Sequence, residues 1–566
     1  MTRPELALLA RTAVHLQPGQ IARRARLRAQ RTALRRWPQT GRWLMAGPDP
    51  ATAAGWPVGL RPLDAGIWLG WPGRAGLRAG RIELLGMTRN LGDPPGWQHA
   101  DAPLLWRFHL HYWDWAWALA AEPDRADARA LFAALWRSWR GAVVAGRGDA
   151  WLPYPTALRA WSYCGLHADL VAGGEIEESF VADLAAHAGF LRRHLESDVG
   201  GNHLIKNLKA LAGLAVFFAD DHLLARVLRR LTGQLAVQVL ADGGHYERAP
   251  AYHCQVLGDL IDVVSLLRAA GRTPDPQLPL AISHMRRWLA SVLSPGGEVP
   301  LLNDGFPVSA DLVAALQPGP PSPGPLMVLP DTGLVRAVAG GWRLLADVGL
   351  PCPDELPAHA HADTFGCLVH VDGTPLLVDT GTSTYAAGAR RGYERSTAAH
   401  NTVEVDGANS TEVWGAFRAA RRARVRDLVT SPGPGAVTIE AAHDGFRGLP
   451  GRPRHRRRWS LTETGLQVDD LVTGRGRHSI IVRWHLAPGS RLRLTAGGAE
   501  VSTSAGEFQV TVAATGPAAL TARTAQVATG FGRGVEAAVL TAAIDAALPV
   551  RVSTGWRRAG GREETA

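Results

Sequence analysis

The spacing of apolar residues changes from a helical period to an alternating one along this chain. Between about residues 105 and 315, apolar side chains recur at steps of three and four, as in "NHLIKNLKALAGLAVFF" (202–218) and "CQVLGDLIDVVSLLRAAG" (254–271). Beyond residue 334, segments such as "HSIIVRWHL" (478–486) alternate apolar and polar positions between Gly-, Pro- and Ser-containing turns. The pattern predicts an all-α half followed by antiparallel β structure, in the form of a sandwich.

A proline-rich segment marks the predicted boundary between these halves. "QPGPPSPGPLMVLPDTG" (317–333) contains six prolines, which neither helix interiors nor central strands tolerate. We therefore predict a mixed, mainly helical N-terminal extension, a helical domain, a linker and a β domain, with the boundaries 1–95, 96–316, 317–333 and 334–566.

The net positive charge of the chain limits the kinds of partner that it is expected to bind. Its 566 residues carry a formal net charge of +10, much of it in "RAARRARVR" (418–426) and "RPRHRRRW" (452–459). This excess favours a polyanion, such as nucleic acid, anionic lipid or acidic polysaccharide, although solvated strand edges and faces are the better explanation of either cluster taken alone. No recognisable nucleic-acid-binding module accompanies the clusters, so we do not predict a nucleic-acid partner.

The cysteines and the hydropathy of the chain indicate in which cellular compartment the protein is expected. Cys164, Cys254, Cys352 and Cys367 are widely separated, which predicts reduced, buried thiols rather than a disulfide framework or a cysteine zinc site. No apolar run approaches the ~20 residues of a membrane-spanning helix. The arginine-interrupted N-terminus is unlike a signal peptide. We therefore expect a cytoplasmic protein, with a periplasmic or cell-surface location as the alternative.

Three loops within the helical half are richer in polar groups than simple connections require. They span 151–163, 200–207 and 241–253. Asn202 in the second loop is suited to capping the following helix. In the third loop, Gly243 and Gly244 turn the chain into a dense set of polar and aromatic residues: His245, Tyr246, Glu247, Arg248, Tyr252 and His253. Such loops on a rigid helical scaffold are common sites of function.

Several segments together resemble the heparinase II/III-like polysaccharide lyases and the related alginate and oligoalginate lyases. They are "LWRFHLHYWDW" (105–115), "PYPTALR" (153–159), "GNHLIKNLKAL" (201–211), "DGGHYERAPAYH" (242–253), "HAHAD" (359–363), "LLVDTGTSTY" (376–385), "RSTAAHNTVEVDG" (395–407) and "WGAFR" (414–418). The resemblance implies an α+β multidomain protein with an N-terminal (α/α) toroid, a C-terminal antiparallel β-sandwich and a catalytic cleft between them.

The resemblance also implies β-elimination at a uronic acid. The reaction removes the C5 proton beside the carboxylate and protonates the departing oxygen at C4, so a group must neutralise the carboxylate. Asn202, with help from His203, matches the family position for that role. Tyr252 matches the proton-transferring tyrosine, Tyr246 is the competing assignment, and His359 resembles the catalytic histidine.

Other residues of the same motifs are predicted to contact an acidic polysaccharide or oligosaccharide. Tyr154 and Arg159 are expected to line the cleft, where aromatic faces and guanidinium forks suit an acidic sugar. Arg248 and His253 are candidates for lowering the pKa of Tyr252. The predicted substrate-binding set is Tyr154, Arg159, Tyr246, Arg248 and His253.

A structural zinc ion is the cofactor that the resemblance implies. His361, Asp379 and His400 resemble its ligands, and two imidazoles with one carboxylate are plausible zinc chemistry. A two-residue turn at Asp372-Gly373 would place Asp379 opposite Gly366, far from His361 along a straight strand. A zinc site therefore requires "HAHAD" to lie outside that ladder, in a loop folded back over it.

Two other functions remain open at the level of sequence. A glycoside hydrolase on a similar toroid would need two carboxylates across the scissile bond, for which Asp242, Glu247 and Asp304 are candidates. A non-catalytic or accessory polysaccharide-binding protein of surface or capsular polysaccharide synthesis is the second alternative. The polymer, endo or exo action and the oligomeric state are not determined by these residues.

Overall fold

The chain folds into two compact units that do not follow the predicted domain boundaries. The computed structural model describes residues 3–63, 65–69, 71, 73–319 and 324–559. One unit consists of Leu16–Val239 and Cys254–Ser283, and the other of Met1–His15, Leu240–His253 and His284–Ala566. The polar loop 241–253 therefore belongs to the same unit as the β structure, and we call this unit the β unit and the other one the helical unit.

The helical unit confirms the helical period of the first half. Its helices are α2 (Pro18–Arg36), α3 (Pro38–Met45), α4 (Ala65–Leu69), α5 (Arg74–Leu77), α6 (Leu104–Tyr112), α7 (Trp117–Ala120), α8 (Arg125–Ala142), α9 (Pro153–Leu166), α10 (Glu177–Arg193), α11 (Gly201–Phe217) and α12 (Asp221–Gln238). A short hairpin joins β1 (Arg81–Leu84) to β2 (Met87–Asn90). Helices α13 (Pro250–Ala269) and α14 (Gln277–Val292) contribute residues to both units.

Helix α11 is enclosed on nearly every face, as its dense apolar sequence requires. It also buries the only two lysines of the chain, Lys206 and Lys209. Their ammonium groups lie 2.7 and 2.9 Å from Asp259 Oδ1, and Lys209 also contacts Asp262. Because each charge is paired, the helix can carry both lysines in the core.

The β unit contains antiparallel sheets with short helices at their margins. Its helices are α1 (Arg3–Ala13), α15 (Ala310–Leu316) and α16 (Ala389–Glu394). Its strands are β3 (Leu326–Leu329), β4 (Leu334–Ala339), β5 (Trp342–Asp347), β6 (Cys367–Val371), β7 (Thr374–Leu377), β8 (Val403–Val405), β9 (Val413–Trp414), β10 (Arg418–Ala419), β11 (Val425–Gly433), β12 (Ala436–His443), β13 (Arg454–Thr462), β14 (Gly465–Thr473), β15 (Arg477–His485), β16 (Arg491–Thr495), β17 (Gly498–Thr503), β18 (Gly506–Ala514), β19 (Ala519–Gly530), β20 (Arg533–Ala547) and β21 (Val550–Arg558).

The larger sheets have five, eight and four strands. Their orders are β3-β4-β5-β6-β7, β11-β12-β13-β14-β21-β18-β17-β16 and β19-β20-β15-β8. Inward-facing side chains from all three sheets form one apolar core, in which Trp342, Trp459, Trp484 and Trp556 are fully buried. These facing sheets confirm the predicted antiparallel β-sandwich.

Side chains of the basic cluster 452–459 point alternately to solvent and to the core along strand β13. Arg454, Arg456 and Arg458 are exposed, whereas His455 and Arg457 point inward. Arg457 Nε donates to Asp470 Oδ1 over 2.6 Å, and His455 Nε2 lies 2.6 Å from the same oxygen. The cluster is thus a solvated strand face plus one buried ion pair.

Several local predictions can be compared with the structure. All four cysteines are free and buried, as predicted. The predicted linker 317–333 contains strand β3, and its residues 320–323 lie outside the described residues. Val371 pairs with Thr374 as predicted, but the register then shifts between Val369 and His370. None of the helices in the described part of the chain has the length and apolarity needed to cross a bilayer.

Candidate functional site in the β unit

The motif "HAHAD" lies in the long connection between strands β5 and β6, outside the ladder, as the predicted site required. His359 is held between two carboxylates in this connection. Its Nδ1–H donates to Asp304 Oδ2 over 2.9 Å, and its Nε2–H donates to Glu247 Oε2 over 2.9 Å. Both ring nitrogens therefore have an acceptor.

These two carboxylates determine the charge of His359. Burial alone would lower the pKa of the ring, but Glu247 and Asp304 outweigh it and raise the pKa to about 9. The side chain is consequently an imidazolium at neutral pH. An imidazolium with both protons already donated has no lone pair with which to accept a proton.

Tyr252 lies directly against this imidazolium. The two rings stack with their centroids 3.8 Å apart and their planes inclined by 30°. The Oη atoms of Tyr252 and Tyr385 are 2.8 Å apart, so the two phenols share a hydrogen bond. The guanidinium carbon of Arg391 lies 5.0 Å from the centre of the Tyr385 ring. Two phenols and two cations therefore lie close to one hydrogen bond of ordinary length.

Asp304 links this group to the second histidine of the motif. Its Oδ1 lies 2.9 Å from His361 Nε2, and its Oδ2 accepts from Arg391 Nη2 over 2.9 Å. Burial would raise the pKa of Asp304, but Arg391 and the two histidines hold it well below its usual value. Asp304 is therefore a buried, ionised bridge between His359 and His361.

Glycines position the loop that supplies Glu247 and Tyr252. Gly243 has a φ of +89°, and a Cβ at Gly244 would collide with the side chain of Thr332. Asp242 accepts hydrogen bonds from the backbone N–H and the hydroxyl of Thr332 at 2.7 and 2.8 Å. Asp242 therefore holds the loop in place.

His253 and Arg248 occupy places that differ from their predicted role beside Tyr252. His253 stacks on Trp288 with a centroid distance of 4.3 Å, and burial lowers its pKa to about 3. It is neutral and supplies no cation. Arg248 Nη1 donates to the carbonyls of Thr332 and Leu350, both over 3.2 Å. His359 is a cation that stacks directly on Tyr252.

The competing tyrosine, Tyr246, is also buried in this loop. Its ring is in edge contact with His245 at 5.2 Å. The ring that stacks on His359 is that of Tyr252. The geometry around His359 therefore favours Tyr252 as the reactive phenol.

Asn202, His203 and Tyr154 lie in the helical unit, where they form a local group. Asn202 is buried at the second position of α11, whose N-cap is Gly200, so the suggested capping role is wrong. The ring of His203 lies 4.3 Å from that of Tyr154, and its Nδ1 is 3.2 Å from Glu196 Oε1.

Arg159, predicted to contact substrate, is fully enclosed in the helical unit. Its Nε donates to His187 Nε2 over 2.8 Å, and its guanidinium carbon lies 4.6 Å from the Trp139 ring and 5.2 Å from the Trp151 ring. Nη1 also donates to the carbonyl of Ala150. These contacts assign Arg159 to the packing of the helical unit rather than to a surface that meets substrate.

The predicted zinc ligands are close together in the β unit. His400 Nδ1 lies 2.7 Å from Asp379 Oδ2, and the rings of His361 and His400 are 5.4 Å apart. His361 Nδ1 and His400 Nε2 are buried and have no hydrogen-bond partner among the described residues. Each ring therefore has one nitrogen atom whose lone pair suits a metal ion. Nevertheless, within the described ranges no group of three or more His, Cys, Asp or Glu side chains is arranged to hold a metal ion.

Two important members of the site were missed in the sequence. Tyr385 ends the motif "LLVDTGTSTY", and Arg391 follows in "GARRGYERS" (388–396), but no periodicity relates them to Tyr252 or Asp304. Glu247 and Asp304 were considered only as hydrolase carboxylates. Only the tertiary fold shows that they flank one histidine.

Several solved structures have a fold similar to that of this chain. Heparinase III is similar with a TM-score of 0.73 and 16% identity, over 86% of this chain and 81% of that one. A mutant heparan sulfate lyase from Pedobacter heparinus has a TM-score of 0.61 and 16% identity, over 96% of this chain and 89% of that one. Chondroitin AC lyase from Streptomyces coelicolor, in complex with chondroitin sulphate, has a TM-score of 0.53 and 14% identity, over 99% of this chain and 83% of that one. The chain shares the toroid and β-sandwich fold of these proteins.

Family models give the more specific assignment. "Heparinase II/III N-terminus" matches residues 173–317, and "Heparinase II/III-like, C-terminal" matches residues 321–557. The chain belongs to the heparinase II/III-like family. A curated relative, FtsZ-localized protein C from Caulobacter vibrioides, is 26% identical over 517 residues, covering 86% of this chain and 87% of the relative.

Proposed function

We propose that this protein is a polysaccharide lyase that cleaves an acidic, uronic-acid-containing polysaccharide by β-elimination. The observation that carries the proposal is the placement of Tyr252, whose ring stacks on the His359 imidazolium and whose hydroxyl is hydrogen-bonded to Tyr385. Family membership and the shared lyase fold support the same activity.

Tyr252 is the proposed proton-transferring residue. A positive charge against its ring stabilises the phenolate, which can accept the C5 proton of the uronate. The resulting phenol then donates that proton to the glycosidic oxygen as the C4–O bond breaks and the C4–C5 double bond forms. Tyr385 stabilises the phenolate through its hydrogen bond and holds the reactive oxygen in place.

His359 acts electrostatically in this scheme rather than as the general base. Its two protons are donated to Glu247 and Asp304, so it contributes its charge and fixes the ring of Tyr252. The neutralisation of the substrate carboxylate is assigned, by family resemblance, to Asn202 with His203, and Tyr154 is the proposed sugar-contacting aromatic residue.

The glycoside hydrolase alternative has less support. An inverting or retaining hydrolase needs one carboxylic acid and one carboxylate facing the glycosidic bond. Glu247 and Asp304 are instead both engaged with His359, and Asp242 bonds to Thr332. These contacts leave the three candidates in supporting roles.

Product analysis tests the proposal. Purified protein is incubated with heparan sulfate, chondroitin sulfate and alginate, while reducing ends and ultraviolet absorbance are followed together. A lyase produces an unsaturated uronate, so absorbance must rise in step with reducing ends. New reducing ends without that absorbance would establish hydrolysis and overturn the lyase proposal.

A structural zinc ion is part of the proposal. His361, Asp379 and His400 would hold it, and metal binding requires both imidazoles to be neutral. The bound ion would cross-link the "HAHAD" connection to the segments that follow β7 and precede β8.

Metal analysis of the purified protein tests the zinc site without an activity assay. We expect about one zinc per chain in the wild type and a loss of most of it in the His400→Ala variant. The Cys254→Ser variant is the control, because this buried thiol is outside the proposed ligand set. Metal-free wild-type protein, or equal zinc in all three proteins, would remove the zinc site from the proposal.

Localisation with FtsZ is the second candidate function. It is favoured by the similarity to FtsZ-localized protein C, which extends over most of both chains. A fluorescent fusion of this chain, expressed in Caulobacter vibrioides, should then coincide with labelled FtsZ, and the Tyr252→Phe variant should localise equally well. A distribution unrelated to FtsZ would argue against this candidate and leave the lyase proposal untouched.

A further inference from the structure

Residues 422–426 of the basic segment 418–426 line a cavity in the β unit that the proposed reaction does not use. The cavity has a volume of about 230 Å³. Four arginines line it, namely Arg422, Arg424, Arg426 and Arg447. Segment 350–354 and His15, which follows helix α1, complete the wall. This volume is below the range of drug-sized ligand pockets and suits a small ligand or one substituent of a larger molecule.

The arginines of the cavity are only partly neutralised. Arg422 Nη1 lies 3.0 Å from Asp354 Oδ1, and Arg447 Nη1 lies 2.7 Å from Asp444 Oδ1. Arg424 and Arg426 are exposed and make no ion pair within the described residues. Two positive charges therefore remain in excess at the cavity. Both of these arginines line the cavity.

Arg422 is the buried member of the set. Its side chain is 6% exposed, and its Nη1 donates to the carbonyls of Pro353 and Asp354 at 3.2 and 2.7 Å. Its Nε and Nη2 are buried without a hydrogen-bond partner in the described part of the chain. An unsatisfied guanidinium is costly to bury, so its retention at the wall of a charged cavity points to an anionic partner.

We propose that the cavity bounded by Arg422, Arg424, Arg426 and Arg447 binds an oxyanion, namely a phosphate or sulfate group, either free or as the ester of a sugar. Guanidinium forks match the oxygens of these tetrahedral anions, and the excess positive charge supplies the attraction. The inference does not depend on lyase activity, because none of these residues takes part in the proposed reaction.

Anion titration of the full chain tests this site. Inorganic phosphate, inorganic sulfate and glucose 6-phosphate are titrated by calorimetry at constant ionic strength, with glucose as the uncharged control. The Arg424→Gln/Arg426→Gln double variant alters two exposed side chains and should fold normally. The Arg491→Gln/Arg523→Gln variant is the matched control, because it removes two exposed arginines elsewhere and lowers the net charge equally.

We expect saturable binding to the wild type, a loss of affinity of about tenfold or more in the double variant, and a change of less than about twofold in the control. Tighter binding of glucose 6-phosphate than of inorganic phosphate would identify an ester as the ligand, and equal binding would identify the free anion. The absence of saturable binding by all three probes, or equal weakening in both variants, would overturn the proposal.

Discussion

At the level of single residues, the site depends on how two buried carboxylates divide their hydrogen bonds. Glu247 and Asp304 both accept from His359, and Asp304 also accepts from Arg391. This arrangement fixes the charge of the imidazole against which Tyr252 packs. The chemistry proposed for one phenol therefore depends on carboxylates that need not touch the substrate.

The Tyr252→Phe substitution tests the reactive phenol. It removes the hydroxyl and keeps the ring that stacks on His359, so substrate binding should persist while kcat falls by about 10²–10⁴-fold. The rate of unsaturated-product formation on the active polymer is the measurement. Tyr246→Phe, which alters the competing tyrosine, is the comparison variant, and its kcat should fall less than that of Tyr252→Phe. The reverse ranking of the two variants would transfer the proton-transferring role to Tyr246.

The Asp304→Asn substitution tests the buried bridge. It would leave the charge of Arg391 without its ionised partner in the interior, which typically costs about 3–5 kcal/mol of the free energy of unfolding. Denaturant unfolding measures this loss, and Asp311→Asn, at an exposed carboxylate, should change stability by less than about 0.5 kcal/mol. Equal stability of the two variants would show that Asp304 is not the ionised partner of Arg391.

At the level of elements, adjacent strands β13 and β14 carry an ion pair within the sandwich core. Burial tends to raise the pKa of Asp470, but Arg457 and His455 lower it to about 2. A carboxyl whose folded pKa is below its unfolded value of about 3.9 stabilises the protein above that value, and the contribution disappears as pH falls through the folded pKa. The pair therefore makes part of the stability of the sheet pH-dependent.

The Asp470→Asn substitution measures this contribution. At pH 7 the variant should be less stable than the wild type by about 3 kcal/mol or more, because Arg457 loses its buried partner. The difference should shrink between about pH 4 and pH 2, where Asp470 in the wild type takes up its proton. A difference that stays constant across this range would show that ionisation of Asp470 is not its source.

The sequence predicted elements better than contacts. Periodicity identified the helical and β halves, but the inward orientation of Arg457 between exposed arginines was not predicted. The bulge between Val369 and His370 was not predictable, because local pairing rules assume an unbroken register. Tyr385 and Arg391 were missed because their meeting with Tyr252 and Asp304 is created by the tertiary fold.

At the level of the whole molecule, each compact unit is built from segments that are not contiguous in the sequence. Residues 240–253 leave the helical half to join the β unit, so the loop that carries Glu247 and Tyr252 is fixed by the same unit as His359. A boundary drawn from composition alone, at 317–333, separates Tyr252 from its partners. Truncation at that boundary would therefore divide the candidate site.

The burial of Lys206 and Lys209 makes the chain an unusual substrate for proteases. A protease specific for lysine has only these two targets in the entire sequence, and both are enclosed within helix α11 by the carboxylates of Asp259 and Asp262. Cleavage should occur only when the helical unit opens, so its rate reports that opening directly. Under native conditions the chain should resist this enzyme while an arginine-specific protease cuts its exposed segments, and rapid lysine-specific cleavage of the native protein would contradict the buried placement of α11.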